Sequence, residues 1–364
     1  MITLLFQSSI SYFDGLAATA QAPNYLRVEQ QFLQLLKSEN LDWLVTNQPH
    51  LVQELEWTIE VALATAYKER SIQAKTENLF LQRILYQINR LKFFWYDELE
   101  QYTNERSLYL GKLRDRIESV WQAWELDQLN LDQLRHLKVK NALIERADAD
   151  LNPSSSENKE YIRQQMTLVG YRQLIAIASL DGLVESSRLC HILGGAAHEV
   201  QATLMRVLIE EYGGGRLARK HSTFFALMME ELGLNSKPEA YLALVPWQVL
   251  ACINHNFLLT NRKRHYLRYN GGFTYFEIVG PSVYQDYIAV SRRLGLSDSA
   301  MGYWDLHIRE DERHGQWMLN HVVLPLADYY PNHAWELVLG YDQEKLMGDR
   351  ASQAVIEAVK AVEQ

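Results

Sequence analysis

Three side chains in the segment HIREDERHGQW have the types and spacing of metal ligands. His307, Asp311 and His314 follow one another at intervals of four and three residues. Because an α-helix turns about 100° per residue, the three side chains fall within roughly 60° of arc on one face. Two imidazoles and a carboxylate on one face either form a hydrogen-bonded polar patch or bind a metal ion. The charged neighbours are predicted to point away from that face: Arg309, Glu310, Glu312 and Arg313.

Further candidate ligands lie in apolar stretches of the chain, where an unpaired charge is costly. They are Glu185 after SLDGLV, Glu211 at the end of VLIEE, His221 before STFFALMM, and Glu277 in FTYFEIVGP. Each residue alone also fits an ordinary surface or hydrogen-bonded position, and Glu210 competes with Glu211 in the same doublet. Together they fit a metal centre in a helical bundle, because each helix can offer only one or two inward groups.

The chemistry of these candidates indicates which metal they would bind. Four carboxylates would neutralise two divalent cations, which reduces the cost of burying them. Oxygen and nitrogen ligands without thiolate suit iron or manganese, whereas structural zinc usually prefers cysteine and histidine. Seven protein ligands are too many for one ion and suit two bridged ions. The predicted ligands of such a centre are Glu185, Glu211, His221, Glu277, His307, Asp311 and His314.

The composition argues against several other classes of protein. With 36 Lys and Arg against 45 Asp and Glu, the formal net charge is −9, which does not favour nucleic acid as a partner. Only Cys190 and Cys252 are present, so we expect no disulfide framework and predict a cytoplasmic location. No stretch is apolar over the roughly 18 to 20 residues of a membrane span. The N-terminal MITLLFQSSISYFDGLAATAQA lacks the basic region of a signal peptide, so we predict none.

Hydrophobic periodicity predicts helices along almost the whole chain and no convincing strand. Residues 151–160, LNPSSSENKE, have the composition of a linker, and we place a domain boundary there. Residues 1–150 are predicted to form a helical N-terminal domain, whose surplus apolar surface favours a homodimer interface. Residues 161–364 are predicted to form a second helical domain, in which Gly213–Gly215 ends one helix and Gly271 with Gly272 ends another.

The motifs of the second domain resemble those of a known family. VLIEEYGGGRLARKHSTFFALMMEELGL, then FEIVGP, then HIREDERH follow the ligand pattern of heme-oxygenase-like diiron oxidases, also described as iron-containing redox enzymes. The resemblance covers residues 160–330, and the combination of motifs is more specific than any one of them. It implies an all-α, heme-oxygenase-like helical bundle, here preceded by the helical N-terminal domain.

The resemblance assigns ligand roles position by position. Glu211, His221 and Glu277 would bind iron together with the three ligands of HIREDERH, and the interval to His221 favours Glu211 over Glu210. An additional upstream carboxylate, matched here by Glu185, is typical of the branch of the family that oxidises nitrogen. Because family members often hold one metal loosely, the resemblance implies a weaker second iron site.

The implied function is an oxygen-dependent, non-heme diiron oxygenase that uses dioxygen and an external reductant. The expected substrate is a small molecule, an amine, a guanidine or an amino acid, hydroxylated at nitrogen. Desaturation or carbon–carbon cleavage of an amino acid or fatty acid is the enzymatic alternative, and a non-catalytic helical interaction protein is an alternative of another class. Because 50 residues follow His314, we expect neither the cupin domain of a nitrogen-oxidising family member nor the chemistry of that domain here.

Two other iron-binding folds fit the sequence less well. A ferritin-like diiron bundle needs Glu-x-x-His on each of two helices, but the chain offers Asp311-x-x-His314 once. A heme protein needs a proximal histidine and a pocket without a cluster of carboxylates. The single Asp-x-x-His motif therefore argues against the ferritin-like bundle, and the carboxylates argue against a heme protein.

Overall fold

The computed structural model describes residues 22–67, 74–94, 98–194 and 198–364. Within these ranges the chain forms helices joined by turns and loops, and no strand occurs. The predicted all-α class is therefore confirmed. Residues 1–21, which contain almost all of the stretch compared with a signal peptide, lie outside the described residues.

The α-helices are joined by connections of different lengths, and several of these contain 3₁₀-helical turns. Those before the predicted boundary are α1 (Tyr25–Leu36), α2 (Leu41–Asn47), α3 (His50–Ala66), α4 (Lys75–Phe93), α5 (Leu108–Leu126), α6 (Leu131–Arg135) and α7 (Val139–Leu151). Those after it are α8 (Glu157–Gln164), α9 (Leu168–Gly182), α10 (Glu199–Glu211), α11 (His221–Glu231), α12 (Trp247–Asn261), α13 (Tyr266–Arg293), α14 (Asp298–Trp317), α15 (Leu324–Tyr329) and α16 (Trp335–Val362). A π-helical turn, Met318–Val323, joins α14 to α15. In the described ranges, no helix has the length and apolar character needed to cross a membrane.

Helix α14, which carries the HIREDERH motif, has its register fixed at its N-terminus. The Ser297 hydroxyl accepts a hydrogen bond from the Ala300 backbone N–H at 3.2 Å, which satisfies one of the free N–H groups of the first turn. The helix packs against α11 and α13. His307, Asp311 and His314 all lie on its buried face.

Helix α13 is the central helix of the C-terminal part and packs against both α14 and α16. Gly271 lies where α13 meets α16, and a Cβ added there would be only 1.9 Å from the Leu337 carbonyl oxygen. The prediction that Gly271 and Gly272 end a helix is wrong, because both lie inside α13. Glycine at this place permits α13 and α16 to pack closely. A glycine in the sequence can indicate either such a close contact or the end of a helix, and the sequence alone does not distinguish the two.

The N-terminal helices pack directly on helices of the C-terminal part. Phe32, Leu81 and Trp121 belong to a core that also includes Trp247 of α12 and Met347 of α16. Helix α7 likewise packs against α13 and α16. Residues 152–156 connect α7 to α8, and apolar cores continue across this connection. The division at residues 151–160 and the homodimer stay predictions.

Candidate metal centre

The structure brings all seven predicted ligands into one cluster. Glu185 lies in the turn after α9, Glu211 is the last residue of α10, and His221 is the first residue of α11. Glu277 lies in α13, and α14 contributes the three residues of the HIREDERH motif. Each member has an oxygen or nitrogen atom within 3.7 Å of such an atom in another member.

The turns after α9 and α10 position two of the carboxylates. The predicted stop at Gly213–Gly215 is confirmed, since α10 ends at Glu211 and the three glycines have φ values of 61°, 63° and 77°. Ser186, which follows Glu185, has a φ of 61°, an uncommon value for a residue with a side chain. Its hydroxyl donates to Glu211 Oε2 at 3.0 Å. The turn after α9 is therefore tied directly to the end of α10.

The first group of ligands consists of Glu185, Glu211, His221 and His307. His221 Nδ1 lies 3.0 Å from Glu211 Oε2 and 3.1 Å from His307 Nε2. His307 Nε2 lies 3.7 Å from Glu185 Oε2. Two atoms bound at right angles to one ion, with bonds of about 2.1 Å, lie about 3 Å apart. The spacing within the first group therefore fits one metal ion.

The second group shares Glu211 with the first group and adds Glu277, Asp311 and His314. His314 Nδ1 lies 3.4 Å from Glu277 Oε2, 3.6 Å from Glu211 Oε1 and 3.7 Å from Asp311 Oδ1. Glu277 Oε2, both Asp311 oxygens and His314 Nδ1 are buried and have no hydrogen-bond partner among the described residues. Buried polar atoms of this kind are costly unless something pairs with them, and a cation would do so.

All three histidines are oriented in the same way. In each ring, one nitrogen contacts an oxygen acceptor outside the cluster and the other nitrogen faces the carboxylates. The outer contacts are the Tyr303 carbonyl for His307 at 2.9 Å, Glu310 for His221 at 3.1 Å, and Glu210 for His314 at 2.8 Å. Because an ionised carboxylate or a carbonyl can only accept, the outer nitrogen donates, and once the ring is neutral the inner nitrogen offers a lone pair to a metal ion. Metal-binding histidines are usually held in this manner.

Two carboxylates that orient histidines were not recognised in the sequence. Glu310 was predicted to point away from the ligand face, and this is wrong, because its side chain reaches His221 on α11. Glu210 contacts His314 from outside the cluster and also pairs with Arg313 at 2.6 Å. Glu210, Glu310 and His314 also lie close enough to hold one ion. That set is more exposed than the second group, and Arg313 already balances the charge of Glu210.

Burial and neighbouring charges shift the pKa values of the cluster. Burial raises the pKa of Asp311 well above its usual range, and the charge of Glu277 adds to the effect. Burial also raises the pKa of Glu185. Burial alone would lower the pKa of His314, but contacts with Glu277 prevail and raise it to about 9, whereas burial lowers the pKa of His307 to about 4. Without metal the cluster therefore holds protons that a bound cation would replace.

A cavity of about 270 Å³ adjoins the cluster and contacts carboxylates of both groups. Aromatic side chains, among them Phe225, Tyr284 and Trp304, form much of its wall. The hydroxyl of Tyr303, another wall residue, donates to Glu185 Oε2. Tyr303 precedes His307 by four residues, and this helical spacing was the signal in the sequence that could have identified it. We refer to this space as the aromatic cavity.

Three charged residues outside the ligand set also line the aromatic cavity: Asp181, Arg188 and Glu344. Arg188 forms an ion pair with Asp181 at 2.6 Å. Asn256 donates to Glu344 Oε1 at 3.3 Å, and burial raises the pKa of Glu344 to about 7. The cavity thus contains two carboxylates for one guanidinium in addition to the candidate ligands. The sequence gave no periodic or motif signal for this set, which three different segments contribute.

Comparison with known families agrees with the fold and the ligand chemistry. Residues 172–343 match the family model of the iron-containing redox enzymes, which are heme-oxygenase-like. This part of the chain is therefore a domain of that family, and it contains all seven candidate ligands. The family predicted from the motifs and the heme-oxygenase-like helical fold are confirmed. The match indicates an oxidoreductase, and the carboxylate and histidine cluster fits iron.

Part of the chain is also similar to a curated protein. It is 28% identical over 177 residues to a nitrosourea synthase of Streptomyces achromogenes subsp. streptozoticus. The aligned region covers 46% of this chain and 36% of that protein. The match thus spans little more than a third of the relative's length.

Proposed function

We propose that this protein is an oxygen-dependent, non-heme diiron oxygenase. The observation that carries the proposal is the common orientation of three buried histidines, each of which donates outward and turns its other nitrogen toward four clustered carboxylates. Oxygen and nitrogen ligands without thiolate suit iron in this setting. Bound ferrous ions would supply the electrons that reduce dioxygen, which side chains cannot supply, and an external reductant would restore them.

In this proposal each group of ligands holds one ion. The first ion would be bound by Glu185, His221 and His307. The second would be bound by Glu277, Asp311 and His314. Glu211 serves both, since its Oε2 lies beside His221 and its Oε1 faces His314. Four carboxylates then balance the charge of two divalent cations, which explains how so many acids lie together in the protein interior.

The residues around the ligands prepare the site for chemistry with a small molecule. The Tyr303 hydroxyl holds a proton at Glu185 Oε2 and fixes the orientation of this carboxylate. The aromatic wall of the cavity excludes water from the reacting atoms, which strengthens electrostatic interactions there and limits side reactions.

We further propose that the substrate is an amine, a guanidine or an amino acid, hydroxylated at nitrogen. Asp181 and Glu344 are acids of the aromatic cavity that do not belong to the ligand set, and acids in this position favour a cationic substrate. Arg188 offers a partner for a substrate carboxylate. The similarity to a nitrosourea synthase also favours oxidation at nitrogen over oxidation at carbon.

Oxygen consumption by the iron-loaded protein tests the proposed reaction. Protein loaded with ferrous iron under anaerobic conditions is expected to consume oxygen when air, a reductant and an accepted amine are added, and to yield a product heavier by one oxygen atom. A product that has lost two hydrogens or a carbon fragment would instead identify desaturation or carbon–carbon cleavage. Failure to bind iron, with no oxygen consumption, would overturn the proposal and favour a non-catalytic helical protein.

Glu344→Gln tests the proposed substrate class. Loss of this negative charge is expected to raise KM for a cationic substrate about tenfold and to leave iron content unchanged. Because the pKa of Glu344 is about 7, the carboxylate gains its charge as pH rises through neutrality, so KM of the unmodified protein falls from pH 6 to pH 8. Arg188, whose charge acts on the same carboxyl group, stays protonated over this range because its pKa is raised. An unchanged KM in Glu344→Gln would remove Glu344 from substrate binding.

A further inference from the structure

A second cavity reaches the candidate metal centre by a different route. Its volume is about 310 Å³, and of the residues that the structure describes it shares Glu277 and Asp311 alone with the aromatic cavity. Its other polar lining residues are Asn152, Ser282, Gln285, Glu312 and Gln316, and none of the described residues that line it is aromatic. We refer to this space as the polar passage. Leu151, Ile278 and Pro281 also line the passage, so its wall is mixed polar and aliphatic, whereas much of the wall of the other cavity is aromatic.

The sequence of α13 explains why the polar passage opens beside Glu277. Pro281 lies inside α13 and lacks a backbone N–H, so the carbonyl of Glu277, four residues earlier, has no helical partner from it. Gly315 of α14 lies against this carbonyl, and a Cβ added there would be 3.1 Å from the Glu277 oxygen. The missing backbone hydrogen bond, a candidate ligand and the cavity wall therefore occur together within about one turn and a half of α13, which continues as a helix through Pro281.

The inner end of the polar passage presents oxygen atoms that lack partners. Glu277 and Asp311 are 4% and 2% exposed, and Glu277 Oε2 and both Asp311 carboxylate oxygens accept no hydrogen bond from the described part of the protein. The Ser282 hydroxyl, which also lines the passage, is likewise buried without a partner in the described ranges. Unpaired carboxylates at the end of a polar channel attract cations strongly, because the surrounding protein screens them less than water does.

The outer end of the polar passage is suited to a hydrated cation. Glu312, Gln285 and Gln316 are exposed, so the mouth combines one negative charge with two amide oxygens. Oxygen atoms of this kind can replace water molecules of a divalent cation one at a time. A cation that passes Glu312 and Ser282 then meets Glu277 and Asp311, both members of the second group.

We propose that the polar passage is the route by which divalent metal ions enter and leave the second group, separately from the substrate in the aromatic cavity. This inference rests on the proposed function only in that the second group binds a metal ion. Glu312 and Ser282 line the route and affect how fast an ion moves along it. They do not bind the ion once it is held by the second group. Changes at either residue therefore alter the rates of metal binding and release together, and they leave the equilibrium affinity nearly unchanged.

Stopped-flow mixing of the metal-free protein with Co²⁺, followed by tryptophan fluorescence and visible absorption, tests the route. The kinetic phase that disappears in Asp311→Asn identifies the second group. Glu312→Lys reverses one charge at the mouth and is expected to slow this phase about three- to tenfold at low salt, less in 1 M KCl, with dissociation into excess chelator slowed equally. Ser282→Leu narrows the passage and is expected to slow both rates at any salt concentration.

Two control variants separate the route from general effects. Glu357→Lys makes the same charge change at an exposed residue that lines neither cavity, and it is expected to leave the rates unchanged. Phe276→Lys places a positive charge on a partly exposed wall residue of the aromatic cavity. Slower metal uptake in Phe276→Lys, with normal uptake in Glu312→Lys and Ser282→Leu, would overturn the polar passage as the route. Absence of metal binding by the unmodified protein would overturn the metal centre itself.

Discussion

The two ligand groups of the proposed metal centre differ in how firmly their side chains are held. Every ligand of the first group has a hydrogen-bond partner outside the group: Tyr303 for Glu185, Ser186 for Glu211, Glu310 for His221 and the Tyr303 carbonyl for His307. Of the residues that the second group adds, His314 alone has such a partner among the described residues, namely Glu210. A preorganised set of ligands binds without the cost of ordering its side chains. We therefore expect the first group to bind its ion more tightly than the second group does.

Glu211→Ala is the change with the largest expected effect, because it removes a ligand from both groups. The affinity for iron should fall by more than about 100-fold at each group, since even the loss of an orienting partner costs 10- to 100-fold. Metal analysis after equilibrium dialysis against ferrous iron measures this loss. Glu210→Ala, the matched change one residue earlier, should keep the first ion. Two ions still bound at normal affinity in Glu211→Ala would contradict a shared ligand.

Asp311→Asn is expected to separate the two groups. The substitution removes a ligand with two unpartnered oxygens from the second group, so the second ion should be lost and the first retained with an affinity within about threefold. The ratio of iron to protein, measured on the dialysed variant, should fall from two to one. Loss of both ions in this variant would mean that the groups do not bind independently.

Substitutions of Glu210 and Glu310, the carboxylates that contact histidines from outside the cluster, test the difference between the two ligand groups separately. Glu310→Gln should lower the affinity for the first ion about tenfold, and Glu210→Gln should lower the affinity for the second ion by a similar factor. Each substitution removes the negative charge that orients one histidine. Competition with a coloured chelator measures the two affinities. If either variant lowered the affinities for both ions equally, the assignment of one outer carboxylate to each group would be wrong.

The smallest predicted effect is on the pH dependence of stability without metal. The pKa of His314 is raised to about 9, so its stabilising contribution is complete below the unfolded pKa of about 6.5 and is lost as pH rises through 9. Burial raises the pKa of Asp311, so its ionisation destabilises the folded state in the same direction. The metal-free protein should therefore lose about 2 to 4 °C in Tm between pH 6.5 and pH 9.

Thermal unfolding in chelator and in excess Co²⁺ checks this pH dependence. The decrease in Tm should be smaller in His314→Ala and should disappear when metal occupies the site, because the cation then replaces the protons. A decrease of the same size with and without bound metal would assign it to residues elsewhere in the protein.

The sequence predicted best what local geometry determines. His307, Asp311 and His314 lie on the buried face of α14 because their spacing matches the helical repeat, and α10 ends at Glu211 because three glycines follow closely. The spacing alone did not choose between Glu210 and Glu211. The structure places Glu211 inside both ligand groups and Glu210 outside them, where Arg313 balances its charge.

Features that depend on distant parts of the chain were not predictable from the sequence. Glu310 reaches His221 because α11 packs against α14, and nothing near Glu310 in the sequence indicates this neighbour. Gly271 gave the signal of a helix end although it lies in a close contact with Leu337 of α16. The shared core of Trp121 and Met347 shows equally that a linker-like composition does not reveal how the flanking helices pack.

Anaerobic titration of the metal-free protein with ferrous iron, followed by calorimetry and by iron analysis of the product, tests the central claim most directly. The account predicts two ions per chain, with the first bound at least about tenfold more tightly than the second because its ligands are already ordered. Binding of a single ion, binding of none, or two ions of equal affinity would contradict it.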